Sequence, residues 1–368
     1  MMPTIVNEQA PVPPPSYHRR EVQAQAQRAR ALHINALTLI ETLHLLALCR
    51  LAVQLAHRRC PPPLAKGAGG RPRTYYEESL LLIALLKTLW RLSYQDVHEW
   101  LHSWPALALA CGLPLDAVGK PCVPSPSQLC KRWQAAGAPP FETLFVLTVW
   151  RAVRCRLVGA RDLIIDSAPI LAWRRADPDA ATGHAPAHHP RSLLRGYRVH
   201  TLLCRGSGLP VQFLVSPANC HDAPFARPLL ELAVRLYAIR PRIIRLDAAY
   251  WGLQLIHWIH ANLGAIAVVP WNPKRQKNRS CLPPTWTKEE LGKRSSIERF
   301  FGRVFLFFRL QRPPYSGWSG IVRQVALTYT ASIVVALAAW QAHRPDLIRS
   351  PKRVLAHLWE DCQLGNAF

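Results

Sequence analysis

Two short apolar runs end the same way, each in an aspartate: Leu163-Ile164-Ile165-Asp166 and Ile243-Ile244-Arg245-Leu246-Asp247. Runs this short and this rich in isoleucine read as buried strands. A carboxylate on such a strand loses hydration and needs a partner, most economically a cation, to face it. Any fold of this chain must therefore bring positive charge to both aspartates.

Around these runs the pattern is regular. A strand over 163–170 precedes a polar, His- and Pro-rich loop at 174–195, and strands over 197–204 and 210–216 are joined by Gly206-Ser207-Gly208, a hairpin signal. A helix over 223–239, a strand over 243–247, a helix over 253–263 and a strand over 264–271 follow. A basic insert (272–293) then leads into Arg294-Ser-Ser-Ile-Glu-Arg-Phe-Phe-Gly-Arg303, which reads as a helix. An antiparallel meander followed by parallel βα units is the ribonuclease H-like layout. The fold class expected is α/β, a mixed sheet flanked by helices, with an all-helical region on its N-terminal side.

The expected organisation has five parts. Residues 1–31 are loose and rich in Pro, Gln and Arg, and 32–73 hold a helix (32–57) and a basic Pro/Gly-rich linker. Residues 74–150 form a helical domain, 151–345 the ribonuclease H-like domain with its basic insert, and 346–368 a tail. In the helical domain, Ser93 with Asp96 and Ser125-Pro126 are helix starts. The helix after Ser125 carries Lys131 and Arg132, so this region is either a helix-turn-helix reader of DNA or a packing unit. Arg71 and Arg73, in Gly70-Arg-Pro-Arg73, either lie along a minor groove or belong to a tether that happens to be basic.

With 46 basic against 22 acidic residues the net charge is +24, which calls for a polyanionic partner, nucleic acid first; arginine-rich coding is the plain alternative. The ten cysteines form no Cys-x-x-Cys pair, which suits a reducing compartment. No hydrophobic signal region opens the chain, and the apolar stretch from Val325 to Trp340 reads as a core helix; no membrane partner is expected. The expected location is the cytoplasm, in association with the nucleoid.

In this layout Asp166 and Asp247 fall on neighbouring strands, and the late helix can carry Glu298 to the same place. Three converging carboxylates repel one another unless a proton or metal ions intervene. Two Mg²⁺ ions, with Mn²⁺ as a substitute, would clamp the attacking and leaving oxygens of a displacement at phosphorus. Arg294, one turn before Glu298, is placed for a phosphate, and Arg299 and Arg303 continue a basic row. Lys274 and Arg275, in the insert with Trp271 and Trp286, form either a stacking surface for an unpaired DNA end or a solvated loop. Singly, each acid has a plainer role: Asp166 or Asp247 as a turn cap, Glu298 as a partner of Arg294, Asp222 as a helix N-cap. His200 reads as a core or supporting residue rather than a metal ligand.

Several motifs fall in the order seen in one family: Leu-Ile-Ile-Asp166-Ser, Gly196-Tyr-Arg-Val-His200, Pro217-Ala-Asn-Cys-His-Asp222, Leu246-Asp247-Ala-Ala-Tyr250 and Arg294-x-x-x-Glu298-Arg-Phe-Phe-Gly-Arg303. With Gly-Arg-Pro-Arg73 and Pro-Ser-Pro-Ser-Gln-Leu-Cys-Lys-Arg-Trp133 upstream, the chain resembles the DDE transposases of bacterial insertion sequences, in the group typified by insertion sequences four and five. The resemblance implies binding of terminal inverted repeats, metal-dependent strand cleavage exposing 3′-hydroxyls, and strand transfer into target DNA by a dimer or larger homo-oligomer. It assigns Asp166, Asp247 and Glu298 as catalytic metal ligands. At two flanking positions where the family commonly has tyrosine and lysine, this chain has Leu291 and Phe305. The alternatives are a related metal-dependent nuclease, and a degraded or domesticated DNA-binding descendant.

Overall fold

In the computed structural model the described residues are 31–61, 74–185, 192–272 and 288–357. The N-terminal part is all helical: α1 (Ala36–Leu43), α2 (Leu45–Arg59), α3 (Glu77–Trp90), α4 (Tyr94–Ser103), α5 (Pro105–Ala110), α6 (Pro126–Ala136) and α7 (Pro139–Arg154). Both capping boxes form. Ser93 and Asp96 exchange side-chain and backbone hydrogen bonds at the start of α4, and Ser125 and Gln128 do so at α6. The single helix expected over 32–57 is instead two, bent by 61° at His44, whose φ of 48° lies in the left-handed region.

Six strands follow: β1 (Asp162–Leu171), β2 (Ala181–His184), β3 (Leu193–Cys204), β4 (Leu209–Pro217), β5 (Ile243–Arg245) and β6 (Ile266–Val268). β1 is antiparallel to β3, β3 to both β2 and β4, while β5 runs parallel to β1 and β6 parallel to β5. The order β4-β3-β1-β5-β6, with one antiparallel meander and two parallel additions, is the ribonuclease H-like sheet. β2, inside the expected loop, is an addition that pairs with the start of β3. Gly183 allows the close approach there, because a Cβ at that position would lie 1.9 Å from the carbonyl oxygen of Ala218.

Helices α8 (Ala223–Tyr237) and α9 (Leu253–Leu263) provide the crossovers to β5 and β6. After the short α10 (Lys288–Gly292), α11 (Ser295–Leu306) lays Ile297, Phe300, Phe301 and Val304 on the sheet and touches β1. The long α12 (Trp318–Gln341) is apolar on every side and sits at the centre of the molecule, against α1, α3 and α7 as well as β4. A four-residue helix, α13 (Pro351–Val354), packs on it. α12 is long and apolar enough to cross a membrane, but 89% of its apolar window is buried inside the protein. The core thus continues across the boundary expected near residue 150. Tyr329 of α12 links the two sides: its hydroxyl lies 2.6 Å from Thr201 Oγ1 on β3, and its ring packs edge-on against Phe145 and Phe300.

One buried ion cluster fixes the register of the central strands. Asp162 begins β1 and accepts hydrogen bonds from Arg245 of β5 at 3.1 Å and from Arg205 after β3. Arg245 is only 3% exposed and also reaches Glu290 of α10 at 2.9 Å. Without Asp162 this buried cation keeps only the partly exposed Glu290 as a carboxylate partner and loses two charge-assisted hydrogen bonds. Asp162→Ala is therefore expected to lower stability by about 2 kcal/mol, measured by denaturant unfolding. A loss below about 0.5 kcal/mol, the scale of an exposed ion pair, would contradict this role.

Candidate active site

The parallel pairing of β1 and β5 aligns Ile164 with Arg245. Two residues further along, at the same level on adjacent chain segments, stand Asp166 and Asp247. Side chains alternate across a strand, so Asp166 shares the face of its cross-strand partner Thr201, the side covered by α11 and α12. Each aspartate is held by the backbone amide that follows it: Ser167 N donates to Asp166 Oδ1 at 2.8 Å, and Ala248 N to Asp247 Oδ1 at 2.6 Å. The second bond caps the 3₁₀ turn Ala248–Tyr250, so the plainer role foreseen for Asp247 is also present.

Arg294, at the start of α11, joins the two. Its Nη1 is 3.3 Å from Asp166 Oδ2 and 3.2 Å from Asp247 Oδ1. Asp166 is the more buried, 18% exposed against 41% for Asp247. Burial pushes the Asp166 carboxyl up to about 6; Arg294 and the Ser167 amide oppose this, and the charges of Asp247 and Asp222 add to it. Glu298 lies in the first turn of α11, where a carboxylate is favoured by the helix dipole, and is exposed. Among the described residues no three His, Cys, Asp or Glu side chains converge closely enough to hold a metal ion. The structure brings together Asp166, Asp247 and Arg294; Glu298 is one turn from Arg294 but does not join the pair.

The opposite face of β1 carries a second network, which the motif Gly196-Tyr-Arg-Val-His200 signals only through its alternation. Arg198 donates to Ser167 Oγ at 3.2 Å and to both oxygens of Asp222, at 3.3 and 3.2 Å. Asp222 stands at the N-cap position of α8, but its side chain faces Arg198 and makes no cap bond. His200 is fully buried, stacked on Phe225 at 4.0 Å, with Nε2 2.8 Å from Ser216 Oγ. Burial, reinforced by Arg198, holds it down to about 3, so it is neutral. Tyr250 completes the surroundings: its buried hydroxyl has no hydrogen-bond partner, and burial, Asp222 and Asp166 push its ionisation well above the usual tyrosine range. Arg198 escapes a reading of the sequence because only the strand pairing brings it beside Ser167, while Tyr250 arrives through the turn that Asp247 caps.

The arginines expected to contact DNA are differently placed. Arg299 is exposed and donates to Ser295 and Ser296 of its own helix. Arg303 is half-buried, donates to the Gly208 carbonyl at 3.0 Å, and is lowered to about 10 by burial and by Arg349 and Arg299. Among the described residues none of these three arginines has a carboxylate within ion-pair distance. Lys131 is exposed on α6 and Arg132 is half-buried. Arg71, Arg73, Lys274 and Arg275 lie outside the described residues.

Residues 159–334 match the family described as the transposase DDE domain. Asp166, Asp247 and Glu298 all fall inside that span. Among solved structures, a piggyBac transposase synaptic complex with hairpin DNA, determined by cryo-EM, is similar at 9% identity, with 88% of this chain and 80% of that chain covered and a TM-score of 0.42. No curated protein matches the chain.

The carboxyl titration gives a test. Removing Arg294 takes away the cation that stabilises ionised Asp166, so Arg294→Ala should move its titration above 6; Asp247→Asn removes a like charge and should move it below 6. A carboxyl carbon NMR titration reads both, and shifts of opposite sign would refute the arrangement. Because the folded value is raised, the group favours the folded state at low pH, and that contribution is lost as pH rises from 3.8 through about 6.

Proposed function

We propose that this chain, which carries a transposase DDE domain over residues 159–334, binds terminal inverted repeats and cuts and joins DNA strands at the Asp166–Asp247 pair. The observation that carries the reading is the shared guanidinium: two carboxylates on adjacent strands, one of them buried, already meet a common cation. Such an oxygen donor pair fits a hard divalent cation. Asp166 and Asp247 would hold it, with Glu298 presented from α11 as the third carboxylate. Mg²⁺, or Mn²⁺ in its place, bound there as a pair of ions supplies Lewis acidity for phosphodiester hydrolysis and for attack by a 3′-hydroxyl.

The chain's own residues do the rest. Asp166 must be ionised, which its carboxyl reaches above pH 6. Arg294 sits beside the pair, where it can hold a non-bridging phosphate oxygen and keep the scissile group in line. Arg198 fixes Ser167 from the other face, so the backbone amide that orients Asp166 does not drift. Arg299, Arg303, Lys131 and Arg132, with Arg71, Arg73, Lys274 and Arg275, provide charge for the DNA backbone. The net charge of +24 supports double-stranded DNA as the partner. Synapsis of two ends calls for a dimer, working in the nucleoid.

A second reading rests on a specific observation. Glu298 is exposed apart from the aspartates, and Phe305, at a position the family fills with lysine, stacks on Phe301 at 5.8 Å. A protein that binds ends without cutting them fits that arrangement.

A cleavage and strand-transfer assay with Mg²⁺ and the DNA ends flanking the gene separates the two. Asp166→Asn, Asp247→Asn and Glu298→Gln should each lower cleavage by at least about a hundredfold, while end binding in a gel shift is retained. Cleavage at the wild-type rate by Asp247→Asn would sink the catalytic assignment. Tight binding without cleavage by the wild type would establish the second reading.

A further inference from the structure

We infer that Trp173 and Arg312 form a stacking platform for an unpaired nucleotide, at a place distinct from the Asp166–Asp247 pair; the inference rests on the nucleic-acid reading above. Trp173 lies just past the end of β1 with its indole 45% exposed. The Arg312 guanidinium stands over the ring, 5.5 Å from its centroid, and donates to the Trp173 carbonyl at 3.3 Å. The next two residues, Arg174 and Arg175, are exposed and make no ion pair among the described residues, and neither does Arg312.

The segment that displays these groups is braced. Arg195 donates to the carbonyls of Arg175 and Asp177, at 3.0 and 2.8 Å. Asp177 is buried and accepts from the Tyr197 hydroxyl at 2.7 Å and from the Gly317 amide at 3.1 Å. Asp179 accepts from the Trp318 amide at 2.7 Å. Both acids of the loop are thus engaged at the N-terminus of α12, where the helix dipole favours their charge. Leu171 N donates to Gln311 O at 2.8 Å, which ties the Arg312 segment to the end of β1. The indole and the Arg312 guanidinium are therefore held by a folded scaffold, and the backbone that carries Arg174 and Arg175 is braced by it.

An aromatic face with a cation against it, flanked by unpaired arginines, is the chemistry that receives a base and its phosphates. Bases inside a duplex are stacked on each other, so the ligand this surface takes is an unpaired nucleotide. Seven residues separate Trp173 from Asp166. At roughly 3.3 Å per residue the platform lies within roughly 23 Å of the pair, or about seven nucleotide steps at 3.4 Å each. Trp150 offers an internal control. It is also 45% exposed and has Arg154 over its ring at 4.7 Å, but the two are simple neighbours one turn apart on α7.

The test uses the full chain and two DNA probes, a blunt duplex and the same duplex with a short single-stranded extension containing 2-aminopurine. Wild type and Trp150→Ala should quench the probe fluorescence and prefer the extended duplex. Trp173→Ala should lose the quench and about tenfold in affinity for the extended duplex, with blunt-duplex affinity unchanged, and Trp173→Phe should recover part of both. Quench and preference unaltered in Trp173→Ala overturn the platform, as does an equal loss on both duplexes. A change in oligomeric state on sedimentation, with DNA binding intact, also overturns it and assigns Trp173 to a protein interface. Failure of the wild type to bind either DNA overturns the nucleic-acid reading itself, and the platform with it.

Discussion

Two carboxylates at one level of adjacent parallel strands repel each other, and the guanidinium of Arg294 between them lets the folded chain hold both. That balance depends on three separate pieces of architecture. The β1–β5 pairing sets the level of Asp166 and Asp247, and the buried Asp162–Arg245 pair at the other end of the same strands fixes their register. The apolar stripe of α11 then seats the start of that helix against β1, so that Arg294 reaches both acids. A slip of one residue along β1 would turn Asp166 to the opposite face.

Charge is distributed in layers around this point. One face of β1 carries the aspartates and Arg294, and the other carries Arg198 with Asp222 and neutral His200. Further out, Arg303 is lowered chiefly by its burial, with Arg349 and Arg299 adding to it. Backbone carbonyls of the Gly206–Gly208 turn take up Arg303 and Arg349 there.

Much of this was legible in the sequence, because its causes are local. The isoleucine-rich runs, the Gly206–Gly208 turn and the two capping boxes act over a few residues, and they gave the strands, their order and the helix starts. That Asp166 and Asp247 close these runs followed from the same pattern, although β1 continues past Asp166 to Leu171. What stayed hidden depends on contacts distant along the chain. The break at His44, the added strand β2 and the turn of Asp222 away from its cap toward Arg198 all belong to that class. So does the core shared across residue 150, since α12 is apolar on every side and its pattern does not say which partners surround it. Glu298 shows the limit from the other direction: its helix was legible, but an exposed side chain in the first turn of that helix has no packing to fix its position.

In the proposed function Asp166 and Asp247 together receive a divalent cation at the place where Arg294 now balances them. Electron paramagnetic resonance of Mn²⁺ bound to the full chain on its DNA ends addresses it directly, comparing wild type with Asp166→Asn and Asp247→Asn. Protein-bound Mn²⁺ is expected in the wild type and lost in each variant. Equal Mn²⁺ binding by all three proteins would refute a metal site at this pair.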